Sequence, residues 1–122
     1  MLVVDDDPEV REALVLAFKT HYTVLEASSG TDALRLLAEN PRLMLLDMSM
    51  PDMGGLEVLA AARDVVAGMT VLMLTGENDI DLAKQALALG AAEYITKPFD
   101  WDQLKERVGR CMRHGQGGPH DL

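Results

Sequence analysis

Cysteine, basic residues and long apolar runs are scarce in this chain of 122 residues, and each shortage excludes a class of protein. The single cysteine, Cys111, cannot form an internal disulfide and suits a reducing compartment. The chain has 11 lysines and arginines against 20 aspartates and glutamates. Its net charge of −9 argues against nucleic acid or an anionic membrane surface as a direct partner. No apolar run approaches the ~20 residues that a membrane-spanning helix needs.

The start, length and end of the sequence support expectations about location and domain organisation. No basic segment followed by an apolar stretch opens the chain, so we expect no secretory signal and a cytoplasmic location. The length is close to the commonest domain size, and 48% hydrophobic residues suffice for one core. We predict one domain over residues 1–114. Because glycines and a proline crowd residues 115–122, we expect a flexible tail or the start of a linker there.

Short apolar runs alternate with helical patterns along the chain. Five strands are predicted, at residues 3–4, 22–27, 43–46, 71–74 and 94–96. Capping residues and apolar residues at helical spacing predict five helices, at about residues 8–18, 30–40, 56–66, 79–89 and 101–112. Strands that alternate with helices of this length imply βαβ units. The predicted fold is therefore a doubly wound, flavodoxin-like α/β fold, with one five-stranded parallel sheet and helices on both faces.

The composition of the strands also predicts their order in the sheet. The first, third and fourth runs are almost entirely apolar, as strands buried on both faces should be. The second and fifth contain Glu26 and Glu93, which edge strands tolerate. These features predict the order 2-1-3-4-5. In that order the switch point lies between the first and third strands, and ligands bind there at the carboxyl ends.

A polar group follows or ends four of the predicted strands. These groups are Asp5 and Asp6, then Asp47, Thr75 and Lys97. Because the carboxyl ends of parallel strands meet at one edge of a sheet, we expect the five side chains to converge. Crowded carboxylates repel one another, and a hard divalent cation with oxygen ligands relieves that repulsion. A hydroxyl and an amine beside them could stabilise phosphoryl oxygens, so the sequence predicts a Mg²⁺-dependent phosphoryl site.

The order and spacing of these motifs resemble the receiver domain of two-component response regulators. The resemblance covers Leu2 to about Met112 and rests on four segments: Val-Val-Asp-Asp-Asp, Leu-Leu-Asp-Met-Ser-Met-Pro-Asp-Met-Gly-Gly, Leu-Thr-Gly and Tyr-Ile-Thr-Lys-Pro-Phe. It implies that Asp47 accepts a phosphoryl group from a sensor histidine kinase or a phosphotransfer protein. It also implies that Asp6 and Asp47 ligate Mg²⁺, with Mn²⁺ as a substitute. Asp5 would hold metal-bound water, and the backbone carbonyl of Ser49 would supply another ligand.

The resemblance further implies a switch that carries the signal to a downstream output. Thr75 would bond a phosphoryl oxygen, Lys97 would pair with the acyl phosphate, and the rotamer of Tyr94 would follow the state of the threonine. The affected face would consist of the fourth predicted helix, the fifth strand and the fifth predicted helix, about residues 79–110. An output domain or partner protein would bind there, and phosphorylation could promote a homodimer. Such a domain catalyses its own phosphorylation and dephosphorylation and is not an enzyme for a separate substrate.

Two alternative functions come from other classes of protein. A phosphatase of the haloacid dehalogenase type also uses an aspartyl nucleophile at a strand end. That family has a second aspartate two residues after the nucleophile, where this chain has Ser49. The other alternative is an interaction module of the same fold that works without phosphorylation. Loss of the phosphoacceptor or the lysine would favour it, but Asp47 and Lys97 are both present.

Overall fold

A computed structural model of the chain describes residues 1–66 and 68–114. The described strands form one parallel sheet in the order β2-β1-β3-β4-β5, which confirms the predicted topology. The strands are β1 (Leu2–Val4), β2 (Leu25–Ala27), β3 (Leu43–Asp47), β4 (Thr70–Thr75) and β5 (Glu93–Thr96). The α-helices are α1 (Pro8–Phe18), α2 (Gly30–Leu36), α3 (Gly55–Ala61), α4 (Arg63–Val66), α5 (Ile80–Ala88) and α6 (Trp101–His114). The predicted tail at 115–122 lies outside the described residues.

Helices cover both faces of the sheet because successive strand residues point to opposite sides. In β3, Leu43 and Leu45 pack in the core layer beneath α1 and α6. Met44 and Leu46 pack in the other layer, beneath α2, α3 and α5. All four side chains are fully buried, so both faces of this central strand are apolar as predicted. No helix within the described ranges is long and apolar enough to cross a membrane.

The capping residues predicted from the sequence start two helices next to the functional edge of the sheet. The Asp7 carboxylate accepts the Glu9 N–H at 2.9 Å, and Pro8 occupies the first turn of α1. The Asp100 carboxylate accepts the N–H groups of Asp102 and Gln103 at the start of α6. Both helices therefore begin within a few residues of the ends of β1 and β5.

The second strand is shorter than predicted. It was expected from Tyr22, but β2 begins at Leu25. The Tyr22 N–H still donates to the Phe18 carbonyl at 3.0 Å, so Tyr22 belongs to the closing turn of α1. Pairing with β1 starts only where the Leu25 N–H donates to the Met1 carbonyl at 2.8 Å.

Three of the predicted helices differ in detail from the observed ones. The second ends its α-helical part at Leu36, and a 3-10 turn over Leu37–Glu39 leads to Asn40 in a left-handed conformation. The third is divided into α3 and α4, because the backbone of Ala62 departs from helical geometry. The fourth is preceded by a 3-10 turn over Glu77–Asp79. Gly90, just past the end of α5, has a φ of 113°, which favours glycine.

Candidate functional site

The predicted site residues lie at the carboxyl edge of the sheet. Asp5 and Asp6 follow β1, and Asp47 is the last residue of the neighbouring strand β3. Thr75 ends β4, and Lys97 follows β5. The parallel register therefore brings the ends of four strands to one side of the molecule, at the switch point between β1 and β3.

Three carboxylates at this edge are close enough to share one cation. One carboxylate oxygen from each of Asp5, Asp6 and Asp47 lies within 4.8 Å of the other two. Mg²⁺ takes oxygen ligands of this kind, from carboxylates, carbonyls and water. Asp5 and Asp47 are buried and Asp6 is exposed, so the cluster has one side open to solvent. This donor set of hard oxygens fits a small divalent cation.

Lys97 joins the two buried carboxylates. Its ammonium nitrogen lies 3.0 Å from Asp5 Oδ2 and 3.3 Å from Asp47 Oδ1. The other oxygen of Asp5 accepts the backbone N–H of Asp7 at 2.9 Å, so both oxygens of Asp5 have a partner. Burial lowers the pKa of Lys97, but the bonds and charges of Asp5 and Asp47 outweigh burial and raise this pKa overall. Lys97 is therefore a fixed positive charge between the strands.

The pKa of the Asp47 carboxyl group is raised. Burial raises its pKa to about 6, and the negative charge of Asp5 adds to the rise. The charge and hydrogen bond of Lys97 oppose this shift without cancelling it. The Asp47 carboxylate also accepts a hydrogen bond from the Ser49 N–H at 3.4 Å. Two buried carboxylates facing one ammonium leave an excess of negative charge, which a cation or a proton would relieve.

Thr75 and Tyr94 belong to the same region but do not join the carboxylate cluster. The buried Thr75 hydroxyl donates towards the carbonyl oxygens of Gly76, at 3.2 Å, and Asp79, at 3.4 Å. Tyr94 is half-buried in β5 and lines a groove of about 650 Å³ with Leu87 and Arg107. The two hydrogen bonds of the Thr75 hydroxyl therefore join the end of β4 to the segment that leads into α5.

Sequence reasoning missed Arg11. Its guanidinium donates to the Asp5 carbonyl at 2.8 Å and pairs with Glu26 at 3.2 Å. It thereby joins α1 to the residue that follows β1 and to β2. The sequence offered one signal for this role: Arg11 is a basic residue near the start of a predicted helix, where the helix macrodipole favours acidic side chains.

Sequence reasoning also missed a contact of Asp52, in the loop between β3 and α3. Its carboxylate accepts a bond from the Thr31 hydroxyl at 3.0 Å. The backbone N–H groups of Gly30 and Thr31 donate to the same carboxylate, each at 3.3 Å. The loop after Asp47 is therefore bonded to the start of α2.

Residues 1–109 match the Response regulator receiver domain family. The chain is 37% identical over 115 residues to Transcriptional regulatory protein KdpE of Mycobacterium tuberculosis, covering 93% of this chain and 50% of KdpE. It is 34% identical over 114 residues to Sporulation initiation phosphotransferase F of Bacillus subtilis, covering 92% of each. A crystal structure of a response regulator receiver domain protein from Clostridium thermocellum superposes with a TM-score of 0.83 at 32% identity. That superposition covers 89% of this chain and 90% of the other.

The chain belongs to the receiver domain family of two-component response regulators. Members of this family are phosphoacceptor modules in signal transduction, work with histidine kinases and output domains, and generally bind Mg²⁺. This chain spans about half the length of the KdpE relative and nearly all of the phosphotransferase relative.

Proposed function

We propose that residues 1–114 form a receiver domain that accepts a phosphoryl group on Asp47 in a Mg²⁺-dependent reaction. One observation carries this proposal: three carboxylates converge, and the Lys97 ammonium bonds the two that are buried. Lys97 is then already in place to pair with the negative charge of an acyl phosphate. A site that only capped a helix would not need a buried carboxylate whose pKa is about 6.

The proposed transfer has a simple balance of bonds. A carboxylate oxygen of Asp47 attacks the phosphorus of a phosphohistidine, the P–N bond breaks, and its electron pair returns to the imidazole of the donor. The product is a mixed anhydride, and its later hydrolysis by water restores the carboxylate and releases inorganic phosphate. The domain thus catalyses its own phosphorylation and dephosphorylation. Because the transition state spreads charge over three equatorial oxygens, positioned cations and donors dominate the catalysis.

Asp6 and Asp47 are the side chains that would ligate Mg²⁺ or Mn²⁺ directly. Asp5 would hold metal-bound water, which agrees with the two hydrogen bonds that already engage its oxygens. The backbone carbonyl of Ser49 would supply a further ligand from the loop after Asp47. A divalent ion bound there would place positive charge beside the phosphoryl oxygens.

The proposed switch connects Thr75 to the face formed by α5, β5 and α6. The Thr75 hydroxyl now bonds the Asp79 carbonyl just before α5, so its movement towards a phosphoryl oxygen would release that carbonyl. Tyr94 borders the groove between α5 and α6 and could rotate inward as the threonine moves. Phosphorylation would then bias an equilibrium between two existing arrangements of this face.

The proposed partners follow from the family and from this face. A sensor histidine kinase or a phosphotransfer protein would supply the phosphoryl group. An output domain, a partner protein or a second copy of the chain would bind the α5-β5-α6 face. The net charge of −9 favours protein partners over direct binding to nucleic acid. A cytoplasmic location stays a prediction from the lone cysteine and from the lack of a recognisable secretory signal.

Phosphorylation by a small donor tests the proposed nucleophile. With acetyl phosphate and saturating Mg²⁺, the intact chain should gain the mass of one phosphoryl group. Asp47→Asn should abolish the gain, because an amide is not a competent nucleophile here. Asp102→Asn, an exposed position on α6, is the matched control and should keep the gain. Full phosphorylation of the Asp47→Asn protein would show that another residue is the acceptor.

A further inference from the structure

The loop between β3 and α3 is held at two places. At its base, the Gly55 N–H donates to the Met48 carbonyl at 2.9 Å. Near its middle, the exposed carboxylate of Asp52 bonds the start of α2, 22 residues earlier in the chain. Ser49, the proposed backbone ligand, lies between these two attachments. The position of its carbonyl therefore depends on both of them.

The start of α2 uses Asp52 as part of its own cap. Ser29 is the N-cap residue, and its hydroxyl accepts the Asp32 N–H at 3.1 Å. The Ser29 carbonyl accepts the Ala33 N–H at 3.0 Å. The two remaining N–H groups of the first turn, those of Gly30 and Thr31, donate to Asp52. The N–H groups of residues 30–33 are thus all satisfied, but two of them only by a residue of the loop.

Packing at the same point leaves little room for movement of the loop. A Cβ on Gly30 would lie 2.7 Å from Met53 Cβ and 2.8 Å from the Met53 carbonyl oxygen. The backbone of α2 therefore lies directly against the loop. Desolvation raises the pKa of Asp52, but the hydrogen bonds from Thr31 and Gly30 together outweigh it and lower the pKa overall. The carboxylate is therefore ionised at neutral pH and acts only as an acceptor.

We propose that Asp52 is a positioning residue for the metal site, because it ties the loop that carries Ser49 to the start of α2. The inference rests on the proposed function of the site, since it concerns the ligand that Ser49 supplies. Asp52 touches neither the carboxylate cluster nor the reacting atoms. Its effect passes through the backbone of residues 49–52.

Removing the carboxylate should loosen the loop and weaken metal binding together. In the metal-free protein, Asp52→Ala should speed amide hydrogen exchange at Gly54 and Gly55. A Mg²⁺ titration followed by the amide shifts of residues 5–7 and 47 measures the affinity for the metal. The Mg²⁺ affinity of Asp52→Ala should be about tenfold lower than that of the wild type, because removing a group that orients a metal ligand typically lowers affinity by at least this much. Asp52→Asn keeps one acceptor oxygen and should fall between wild type and Asp52→Ala.

Ser29→Ala is the matched control for helix stability. It removes a cap from the same end of α2 but leaves the bonds between Asp52 and the helix in place. Its Mg²⁺ affinity should stay within about twofold of wild type, although caps of this kind stabilise a helix measurably. Thr31→Val removes the hydroxyl that lies 3.0 Å from the Asp52 carboxylate, so it should also lower the Mg²⁺ affinity. The double variant Thr31→Val with Asp52→Ala should lose less affinity than the sum of the two single losses, because both changes break the same contact.

Two results would overturn the inference. One is an unchanged Mg²⁺ affinity in Asp52→Ala, and the other is an equal loss in Ser29→Ala and Asp52→Ala. Failure of the proposed function looks different, because the wild-type protein would then show no Mg²⁺ shifts at residues 5–7 and 47. Hydrogen exchange in the metal-free protein measures the tether independently of that outcome.

Discussion

The charge of single side chains determines the chemistry available to this site. Asp5 and Asp47 are both buried, and the one ammonium that bonds them cannot neutralise two negative charges. The ionised form of Asp47 is consequently costly, which its raised pKa of about 6 reflects. The site is therefore poised to take up a cation or a proton.

Asp47→Asn should stabilise the fold, and the gain should depend on pH. The folded-state pKa of about 6 lies above the ordinary 3.8, so ionisation of Asp47 reduces the free energy of unfolding as pH rises from 3.8 to about 6. A pKa difference of one unit between the folded and unfolded states corresponds to about 1.4 kcal/mol. Because the substitution also removes a charged partner of Lys97, we expect a smaller net gain than the full pKa difference would give, about 1–2 kcal/mol at pH 7.5. The gain should shrink towards pH 4, and urea unfolding without Mg²⁺ measures it. A gain of equal size at both pH values would contradict the cause proposed here.

Mg²⁺ binding should weaken as pH falls, because a proton and the metal compete for Asp47. With a pKa of about 6, Asp47 is largely ionised at pH 7.5 and largely protonated at pH 5. One competing proton then lowers the apparent affinity by about tenfold between these values. A titration of amide shifts at residues 5–7 at each pH measures the change. Equal affinity at pH 5 and pH 7.5 would mean that Asp47 is not a ligand.

At the scale of the elements, close approaches of backbone hold the helices against the functional edge. Gly30 lets α2 contact the loop after β3 at Met53. Gly55 does the same for α3, since a Cβ there would lie 3.0 Å from the Asp47 carbonyl and 2.7 Å from Met73 Cε. Arg11 adds a polar link from α1 to the Asp5 carbonyl. The helices α1 and α3 thus contact the ends of β1 and β3 directly, and α2 contacts the loop that follows β3.

Two glycine-to-alanine changes should have opposite effects on stability. Gly30→Ala should destabilise the domain by about 1–3 kcal/mol, because the added carbon would press on the backbone of Met53. Gly109→Ala lies within α6, where the nearest atom to an added Cβ is Nη1 of Arg113, at the end of a long flexible side chain, 3.1 Å away. There alanine should stabilise by about 0.5–1 kcal/mol through its better helix propensity. Chemical denaturation of both variants tests the pair, and a destabilised Gly109→Ala would show that α6 cannot accommodate the methyl group.

At the scale of the whole molecule, phosphorylation should change the α5-β5-α6 face. Thr75 contacts the Asp79 carbonyl, and Arg107 of α6 bonds both Glu93 and the Tyr94 carbonyl in β5. Thr75 thus connects the end of β4 to the start of α5, and Arg107 connects α6 to β5. A phosphoryl group that draws Thr75 away should therefore affect α5 and β5 as well as the site.

Hydrogen exchange with and without beryllofluoride, a mimic of the phosphoryl group, measures this change. Protection should alter across residues 79–110, and partner binding or dimerisation should strengthen by the ~1–3 kcal/mol typical of coupled sites. Thr75→Ala should keep changes around Asp47 but reduce those in residues 79–110. Changes confined to the surroundings of Asp47 in the wild-type protein would exclude the proposed switch.

Much of the fold could be predicted from local patterns in the sequence. Apolar runs bounded by turn residues specify buried strands, and Glu26 and Glu93 mark the strands that lie at the edges. The boundaries were less predictable, because pairing decides them. Residues 22–24 look like the start of a strand, but β1 is only three residues long and pairs with no more than Leu25–Ala27. Likewise, no local signal marks the break at Ala62 between α3 and α4.

The sequence by itself determined which chemical groups stand at the strand ends, because parallel strands necessarily present those ends at one edge. Only the tertiary structure decided how the groups pair. Lys97 bonds Asp5, 92 residues away in the sequence, and Asp47, 50 residues away. The burial of Asp47 is the main cause of its raised pKa. The bonds from α2 to Asp52 likewise join distant segments. Burial and long-range contact arise only when the layers pack together, so the spacing of residues along the chain does not encode them directly.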